Sequence, residues 1–283
     1  MKKITINSPA KVNLTLDIIK KREDGYHELE MVMQELELKD EIVLEEIEKN
    51  EIRIRCILPE VPINEKNLCW KAAEIIKEKK DIKKGILIRI KKKIPVAGGL
   101  GGGSSNAAAT IKGLNELWEL NLEEKEMQEI AEQIGMDVAF FLYGGTAFAE
   151  GRGEKIKKIK SFPKTKMIVC NPGIPVSTKT AYSNIDYEKS GKVLASRKLK
   201  QAIEQGKETK ELIQLIHNDF EFSVFRDFPK IEKLKEEMQE NSLNVLMSGS
   251  GSTVFCFPKE NEAKKLMEKL KEKYKTVVKT FTI

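Results

Sequence analysis

The sequence predicts an α+β protein of two domains, because strand-like and helix-like segments follow one another in mixed order and not in a regular alternation. Apolar and polar residues alternate at Val12–Ile18 and at Ile86–Ile90, and a period of two predicts half-buried strands. From Ala107 to Trp118 the apolar residues follow helical spacing. The length of 283 residues allows one large domain or two smaller ones.

The other predicted elements continue this mixed order along the chain. A helix at Leu122–Ile134 has glutamates near its start, where carboxylates suit the helix dipole, and Gly135 as a C-terminal cap. The polar segment Gly151–Lys166 is expected to hold the domain boundary, giving domains 1–155 and 156–283. The remaining strands are expected at Ile4–Ile6, Ile52–Cys56, Thr146–Ala149, Met167–Cys170, Val245–Met247, Val254–Phe257 and Val277–Phe281, and the remaining helices at Leu194–Gln205, Ile231–Glu240 and Glu262–Lys273.

Composition excludes several classes of protein. The four cysteines are widely spaced and there are two histidines, so a structural zinc site is not expected and a reduced, cytoplasmic chain is. No window offers about 18 apolar residues, so no membrane partner is expected. The net charge of +6 comes from lysine runs that mix with glutamate, while aromatics make up only 6% of the chain. Nucleic-acid surfaces interleave basic residues with aromatics, so no nucleic-acid partner is expected.

A glycine-rich segment, Pro95–Asn106, lies between a predicted strand and a predicted helix. Glycine allows positive φ and a close backbone approach, and the following helix offers its positive end to an anion. The segment therefore predicts a phosphate-binding loop for a nucleotide, and a flexible linker is the alternative. It matches neither the Walker A nor the Rossmann pattern, and no His-Arg-Asp catalytic loop of a protein kinase occurs.

Three segments in order resemble the motifs of the GHMP kinases, the family of galactokinase, homoserine kinase, mevalonate kinase and phosphomevalonate kinase. They are Ser8–Leu14, Pro95–Asn106 and Leu246–Phe255. The resemblance implies an N-terminal domain of ribosomal-protein type, a C-terminal ferredoxin-like α/β sandwich, and ATP and Mg²⁺ as cofactors. The residues it implies for ATP are Pro95, Val96, Ala97, Gly98, Gly99, Leu100, Gly101, Gly102, Gly103, Ser104 and Ser105.

Four further segments resemble one branch of that family, whose members phosphorylate a cytidine diphosphate sugar alcohol. They are Lys11–Leu16, Arg22–His27, Asn171–Tyr182 and Gly135–Phe141, the last with Met136 and Ala139 in place of the branch's alanine and proline. The resemblance implies phosphorylation of the 2-hydroxyl of 4-diphosphocytidyl-2-C-methyl-D-erythritol, in the non-mevalonate route to isoprenoids.

Two residues are candidates for catalysis. Asp137 precedes the apolar run Val138–Leu142 and should face a dry site, although such an aspartate can also be a simple helix N-cap. Lys11 shares a strand face with Asn13, where a lysine is usually solvated. The resemblance implies that Asp137 is the general base for the substrate hydroxyl and that Lys11 assists it.

The substrate residues are expected near two turns. Tyr26 and His27 follow the turn residues Asp24-Gly25, and Tyr26 with Tyr182 could stack on the two faces of cytosine while His27 bonds to its edge. Asn13 and Thr178 could hold the diphosphate or the erythritol. The segment Gly249, Ser250 and Gly251 is an ordinary hairpin turn or, by the resemblance, a turn that closes on the substrate phosphates.

Two other functions remain possible on the sequence alone. Another GHMP kinase, of the homoserine or mevalonate type, is disfavoured because those substrates carry no base for the Asp24–His27 corner to recognise. An RNA-binding protein is the second alternative, favoured only by the basic charge and the ribosomal-protein-like domain. The magnesium ligands stay open, with Ser105 a candidate, and so does the oligomeric state.

Overall fold

The structure, a computed structural model, describes residues 2–283, which form eleven strands and ten helices. The strands are β1 (Lys3–Lys21), β2 (His27–Ile47), β3 (Ile52–Arg55), β4 (Gly85–Lys91), β5 (Thr146–Gly151), β6 (Lys155–Lys158), β7 (Lys166–Asn171), β8 (His217–Asn218), β9 (Ser242–Met247), β10 (Val254–Pro258) and β11 (Thr276–Phe281). The helices are α1 (Leu68–Lys79), α2 (Gly102–Leu117), α3 (Glu124–Ile134), α4 (Met136–Tyr143), α5 (Thr178–Ser183), α6 (Ala195–Glu204), α7 (Thr209–Gln214), α8 (Phe220–Asp227), α9 (Pro229–Gln239) and α10 (Ala263–Lys271).

The chain divides into two compact units, each built from separate segments. The first unit contains Met1–Ala10, Leu38–Val96 and Gly101–Gly144, and the second contains Lys11–Glu37, Ala97–Leu100 and Gly145–Ile283. The glycine-rich segment is therefore shared: Ala97–Leu100 belong to the second unit, and the residues on either side belong to the first. The expected division into residues 1–155 and 156–283 stays a prediction.

The first unit packs helices beside a sheet. In its sheet β4 lies between β2, with which it pairs antiparallel, and β3, with which it pairs parallel. Helix α2 contacts α1, α3 and α4. Helix α1 begins where the Asn67 side chain accepts a hydrogen bond of 2.9 Å from the Cys69 amide, an N-cap that satisfies one of the unpaired first-turn donors. The core of the first unit includes Ile42, Leu44, Ile76, Ile86 and Leu114.

The second unit contains two sets of strands. In one, β1 pairs parallel with β8, β2 pairs antiparallel with β5, and β5 pairs with β6. The other is an antiparallel sheet in the order β11-β7-β10-β9, against which α9 and α10 pack. The strands of this sheet do not follow sequence order, so the chain crosses between strands that are not neighbours. The α+β class is thus confirmed.

The prediction of a half-buried strand at Val12–Ile18 is wrong, because every residue from 11 to 18 is buried. The polar residues on the second face are covered by neighbouring backbone. The Thr15 hydroxyl accepts a hydrogen bond of 3.1 Å from the Val32 amide, and the Asp17 carboxylate accepts one of 3.0 Å from the Ala195 amide. The alternation of apolar and polar residues predicted the strand correctly. It did not predict that the polar face is also buried, because the backbone that covers this face comes from distant parts of the chain.

No helix among residues 2–283 has both the length and the apolar character needed to cross a membrane.

Candidate active site

The glycine-rich segment leads into α2 in the way an anion site requires. Gly101, the residue before the helix, has a φ of 68°, and no side chain caps the helix start. The first-turn amides of a helix have no partner within it and point out along its axis. Gly103 is exposed, and a Cβ placed on it would meet only Leu68 Cδ1, at 3.8 Å. The first turn of α2 therefore presents open backbone donors at the positive end of a helix dipole.

Gly102 differs from its neighbour, because it is buried and already part of the helix. A Cβ on Gly102 would lie 3.0 Å from the Lys92 ammonium and 3.1 Å from Ile94 Cγ2. The absent side chain thus leaves room for the Lys92 ammonium beside the backbone of the loop.

A buried network of hydrogen bonds fixes this turn from below. Asn106 donates 2.8 Å to the Ser8 hydroxyl and 2.9 Å to the Asp40 carboxylate, and Ser8 donates 2.8 Å to the Ser105 hydroxyl. Asp40 also pairs with Lys92, whose side chain is only 4% exposed. Because each polar group in the network has a hydrogen-bond partner, these bonds offset the cost of burying the groups. The network therefore holds the turn in one arrangement.

The two serines of the loop have different surroundings. Ser105 is buried, and its hydroxyl accepts the hydrogen bond from Ser8. Ser104 is half-buried. Ser104 is therefore the more accessible hydroxyl for a phosphate oxygen, and Ser105 supports the loop through Ser8.

In the second unit, the remaining loop residues contact the turn between β9 and β10. Gly99 has a φ of +75°, and a Cβ on it would lie 2.2 Å from the Ser248 carbonyl oxygen. The Ser248 hydroxyl donates 2.9 Å to the Gly99 carbonyl. Glycine is required at position 99 because only its backbone can adopt this φ and approach Ser248 so closely.

The same turn contacts the predicted catalytic strand. A Cβ on Gly249, which has a φ of +57°, would lie 3.3 Å from Asn13 Oδ1 and 3.8 Å from Lys11 Nζ. The Lys11 ammonium donates 2.6 Å to Asn13 Oδ1, and the Lys11 amide donates 3.0 Å to the Leu100 carbonyl. Lys11 is 4% exposed, so the interpretation of a solvated lysine is wrong. The structure thus brings Lys11, Asn13, Gly99 and Gly249 together.

Asn218 fixes this turn and was not predicted from the sequence. Its Nδ2 donates 2.7 Å to the Met247 carbonyl and 2.8 Å to the Gly249 carbonyl. Because β8 pairs with β1 at Leu16 and Asn218, one buried side chain connects β1 to the turn. Next along the turn, the Ser250 hydroxyl lies 3.1 Å from the Thr178 hydroxyl at the start of α5.

Asp137, in the first unit, is the second residue of α4. The residue that precedes this helix is Gly135, so the alternative of an N-cap aspartate is wrong. Asp137 is half-buried, and buried Val138, Ala139 and Phe140 follow it. Its carboxylate lies in the first turn of α4.

The predicted base-recognition residues lie in two segments of the second unit: Tyr26 and His27 follow the turn at Asp24-Gly25, and Tyr182 lies in α5. Gly25 has a φ of +84°, and the Tyr26 amide donates 3.1 Å to the Asp24 carboxylate. Tyr26 is 50% exposed, and the Arg152 guanidinium lies 4.8 Å above its ring. A half-exposed aromatic ring with a cation on one face has its other face available to stack on a flat ligand.

His27 is buried and stacks on Tyr182, with ring centroids 4.8 Å apart and planes 19° apart. The edge of Phe220 packs against Tyr182 from another side, at 4.9 Å. Burial, assisted by the charge of Lys21, lowers the pKa of His27, which favours a neutral imidazole. Its Nε2 lies 2.6 Å from the hydroxyl of Tyr187, a residue that sequence reasoning missed because it follows no motif.

Within residues 2–283, the one group of three potential metal ligands is Asp17, His217 and Asp219. Asp17 accepts backbone hydrogen bonds from Ala195 and Ser196, and Asp219 accepts one of 2.7 Å from Ile18. Burial opposes the charge of His217, but the hydrogen bond and charge of Asp219 outweigh it and raise its pKa. These carboxylates are already occupied by protein donors, so the group tethers segments of the second unit.

Fold and site together define a class: an α+β protein in which a glycine-rich loop and a helix start offer backbone donors to an anion. Comparison of the sequence with models of protein families identifies the family within this class. The family model described as "GHMP kinases N terminal domain" matches residues 67–145 of the chain. The model described as "GHMP kinases C terminal" matches residues 199–276.

Curated relatives extend the likeness to the whole chain. The chain is 42% identical over 275 residues to the 4-diphosphocytidyl-2-C-methyl-D-erythritol kinase of Caldicellulosiruptor bescii, covering 96% of each chain. It is 42% identical over 277 residues to the kinase of the same name from Alkaliphilus metalliredigens, covering 97% of this chain and 95% of the relative. The chain belongs to the GHMP kinase family and, within it, to the family of the 4-diphosphocytidyl-2-C-methyl-D-erythritol kinases.

Solved structures agree with this placement. A crystal structure of 4-(cytidine 5'-diphospho)-2C-methyl-D-erythritol kinase superposes with a TM-score of 0.83 at 31% identity, covering 99% of both chains. The homoserine kinase of Cytophaga hutchinsonii superposes with a TM-score of 0.77 at 19% identity, covering 100% of this chain and 95% of the other. At that identity the second likeness bears on the fold alone.

Proposed function

We propose that this protein transfers the γ-phosphoryl group of ATP to the 2-hydroxyl of 4-diphosphocytidyl-2-C-methyl-D-erythritol, giving the 2-phosphate and ADP. The reaction belongs to the non-mevalonate route to isoprenoids. The observation that carries the proposal is the 42% identity to kinases of that name over 96% of the chain. The stacked His27 and Tyr182 rings agree with it, because a cytosine base needs flat partners and a hydrogen-bonding edge.

Membership of a kinase family implies ATP as the phosphoryl donor. The residues proposed to hold its phosphates are those of Pro95–Ser105, with the first-turn amides of α2 as the principal donors. Open helix-start amides suit a triphosphate, since they act without a cost in rearrangement when charge shifts between oxygens.

In the proposed chemistry, Asp137 accepts the proton of the substrate 2-hydroxyl. A new bond then forms between that oxygen and the γ-phosphorus, and the bond from the γ-phosphorus to the bridging oxygen breaks. The bond's electron pair leaves with ADP. Lys11 stabilises the charge that develops on the reacting oxygens, and Asn13 and Gly249 orient Lys11.

The remaining assignments concern binding. Tyr26 and Tyr182 are proposed to stack on the cytosine and His27 to bond to its edge. Asn13, Thr178, Gly249, Ser250 and Gly251 are proposed to hold the diphosphate and the erythritol. The hydroxyls of Thr178 and Ser250, which lie 3.1 Å apart, form a pair that can donate to one phosphate oxygen.

Mg²⁺ is proposed to accompany ATP, bound mainly by phosphate oxygens and water, as this ion usually is at kinase sites. When bound, it neutralises phosphate charge. Of the protein groups, the half-buried Ser104 hydroxyl suits contact with the ion or a phosphate better than buried Ser105 does. A role for Ser105 as a direct ligand and a cytoplasmic location remain predictions.

The test is an incubation of the purified protein with ATP, Mg²⁺ and the cytidine substrate, followed by mass spectrometry. We expect a product heavier than the substrate by one phosphoryl group, with stoichiometric ADP. Fragmentation should place the phosphate on the erythritol and leave the cytidine unmodified. ADP formed without a phosphorylated sugar alcohol would contradict the proposal.

A further inference from the structure

Tyr187 is the residue outside the predicted site that most directly touches a recognition residue. It lies in the turn between α5 and α6, and its ring is 47% exposed. Its hydroxyl, however, lies 2.6 Å from Nε2 of His27, and the two rings are nearly parallel, with planes 18° apart and centroids 6.1 Å apart. A polar tip held against a buried partner distinguishes Tyr187 from a simple surface aromatic.

The segment that carries Tyr187 is fixed at several points. The Ser190 amide donates 2.9 Å to the Asp186 carbonyl, which closes the turn around Tyr187. The Gly191 amide donates 2.8 Å to the buried Asp219 carboxylate. Gly191 has a φ of +72°, and a Cβ there would lie 2.8 Å from the Ile18 carbonyl oxygen. The Tyr187 hydroxyl is therefore positioned by the backbone and not only by its own rotamer.

The His27 ring has one further aromatic neighbour on its face. Tyr182 covers one face of the imidazole at 4.8 Å. Within the described residues, the contact to Tyr187 is the only hydrogen bond of the His27 ring. Burial lowers the pKa of His27, so the ring carries one proton at neutral pH. A neutral imidazole has one donor nitrogen and one acceptor nitrogen, and the partner of one nitrogen decides the role of the other.

We propose that Tyr187 is a specificity-determining positioning residue: its hydroxyl donates to Nε2 of His27 and thereby keeps the His27 proton on Nδ1, as a donor toward the base of the substrate. The inference rests on the proposed function. Cytosine presents acceptors at O2 and N3, whereas uracil carries a hydrogen on N3. A fixed Nδ1–H donor therefore bonds to cytosine N3 and opposes the N3–H of uracil.

The variant that tests this is Tyr187→Phe, which removes one oxygen from a half-exposed ring and keeps the stack. We expect the KM for the cytidine substrate to rise by roughly 3- to 10-fold, the usual worth of one neutral hydrogen bond. The KM for ATP and kcat should stay unchanged. The preference for the cytidine substrate over its uridine analogue should fall by a similar factor. Tyr274→Phe, which removes a hydroxyl near Glu237 instead, is the matched control and should leave all constants unchanged.

A second measurement reads the tautomer itself. The chain has two histidines, so nitrogen-15 NMR of the full protein can follow each ring, with His27→Gln assigning the signals. We expect His27 to be protonated on Nδ1 in the parent and in Tyr274→Phe, and to be a mixture of tautomers in Tyr187→Phe. An Nε2-protonated ring in the parent, or unchanged KM and base preference in Tyr187→Phe, would overturn the inference. A parent that does not phosphorylate the cytidine substrate would instead overturn the proposed function.

Discussion

The turn at the start of α2 and the aromatic cluster around His27 are built in opposite ways. Beneath the first, Ser8, Asp40 and Asn106 are almost wholly buried and joined by hydrogen bonds. In the second, Tyr26 and Tyr187 are about half exposed and contact their neighbours through ring faces and single hydroxyls. The first region is held by a buried polar network, whereas the second is held by stacked rings and by the contact of one hydroxyl with His27.

The difference follows from what each region is proposed to do. Phosphoryl transfer asks for donors held in place before the reaction, since charge moves between oxygens within one step. Recognition of a base asks for flat surfaces that can close on a ligand after it enters. We therefore expect substitutions in the first region to reduce turnover, ATP binding or stability, and substitutions in the second to alter mainly substrate affinity.

The largest expected effect is that of Asp137→Asn on turnover. The amide keeps the shape of the side chain but cannot accept the proton, so kcat should fall by about 10²- to 10⁴-fold, the usual contribution of a positioned base. ATP affinity, measured by calorimetry, should change little. A kcat close to that of the parent would exclude Asp137 as the general base.

Asp40→Asn should lower the stability of the fold. It leaves the buried Lys92 ammonium without a counter-charge, which typically costs about 3–5 kcal/mol. Asp81→Asn is the matched control, because Asp81 pairs with Lys83 at the surface, where a pair is worth only about 0–1 kcal/mol. Urea denaturation measures both. Equal losses in the two variants would mean that the Asp40 network does not stabilise the first unit.

Gly103→Val tests the open helix start without disturbing packing. A side chain at Gly103 would meet only Leu68 at 3.8 Å, so the fold should persist. It would stand in front of the first-turn amides, and loss of two such contacts, at about 1–3 kcal/mol each, should raise the KM for ATP at least about tenfold. Gly103→Ala should give a smaller rise. If folded Gly103→Val binds ATP normally, the phosphates lie elsewhere.

Tyr182→Ala should have a smaller effect, confined to the cytidine substrate. A stacked base is worth about 1–3 kcal/mol, or roughly 5- to 150-fold in affinity. Tyr182→Phe should be nearly neutral, because the ring and not the hydroxyl stacks on His27. The ATP constant should stay the same in both. Equal substrate affinities in the Ala and Phe variants would exclude Tyr182 as a stacking surface.

The sequence predicted these two regions to different extents. The glycine loop and the helix after it were predicted because glycine content and helical spacing are local properties of the chain. The network beneath the loop was not predicted, since no local property of the sequence shows that Ser8, Asp40 and Ser105 join one network after folding. Gly99 and Gly101 have positive φ, whereas Gly102 is already helical and a Cβ on it would lie 3.0 Å from the Lys92 ammonium.

The recognition cluster was predicted less completely for a similar reason. His27 and Tyr182 lie in segments that resemble family motifs, but Tyr187 contacts a residue 160 positions away. Asn218, which holds the turn between β9 and β10, was missed for the same reason, because its partner Gly249 lies 31 positions away. Strand β2 and helix α1 were also missed. The buried residues of α1, Cys69, Ala72, Ala73 and Ile76, have helical spacing that could have predicted this helix. Alternation identified β1 but not that its polar side is buried.

The most direct test of the central claim is a competition between acceptors at one concentration of ATP and Mg²⁺. The protein is given equimolar 4-diphosphocytidyl-2-C-methyl-D-erythritol, its uridine analogue, mevalonate and homoserine, and each phosphorylated product is counted by mass spectrometry. The account predicts that the cytidine substrate is consumed first and that mevalonate and homoserine stay unphosphorylated. Faster phosphorylation of mevalonate or homoserine than of the cytidine substrate would contradict it.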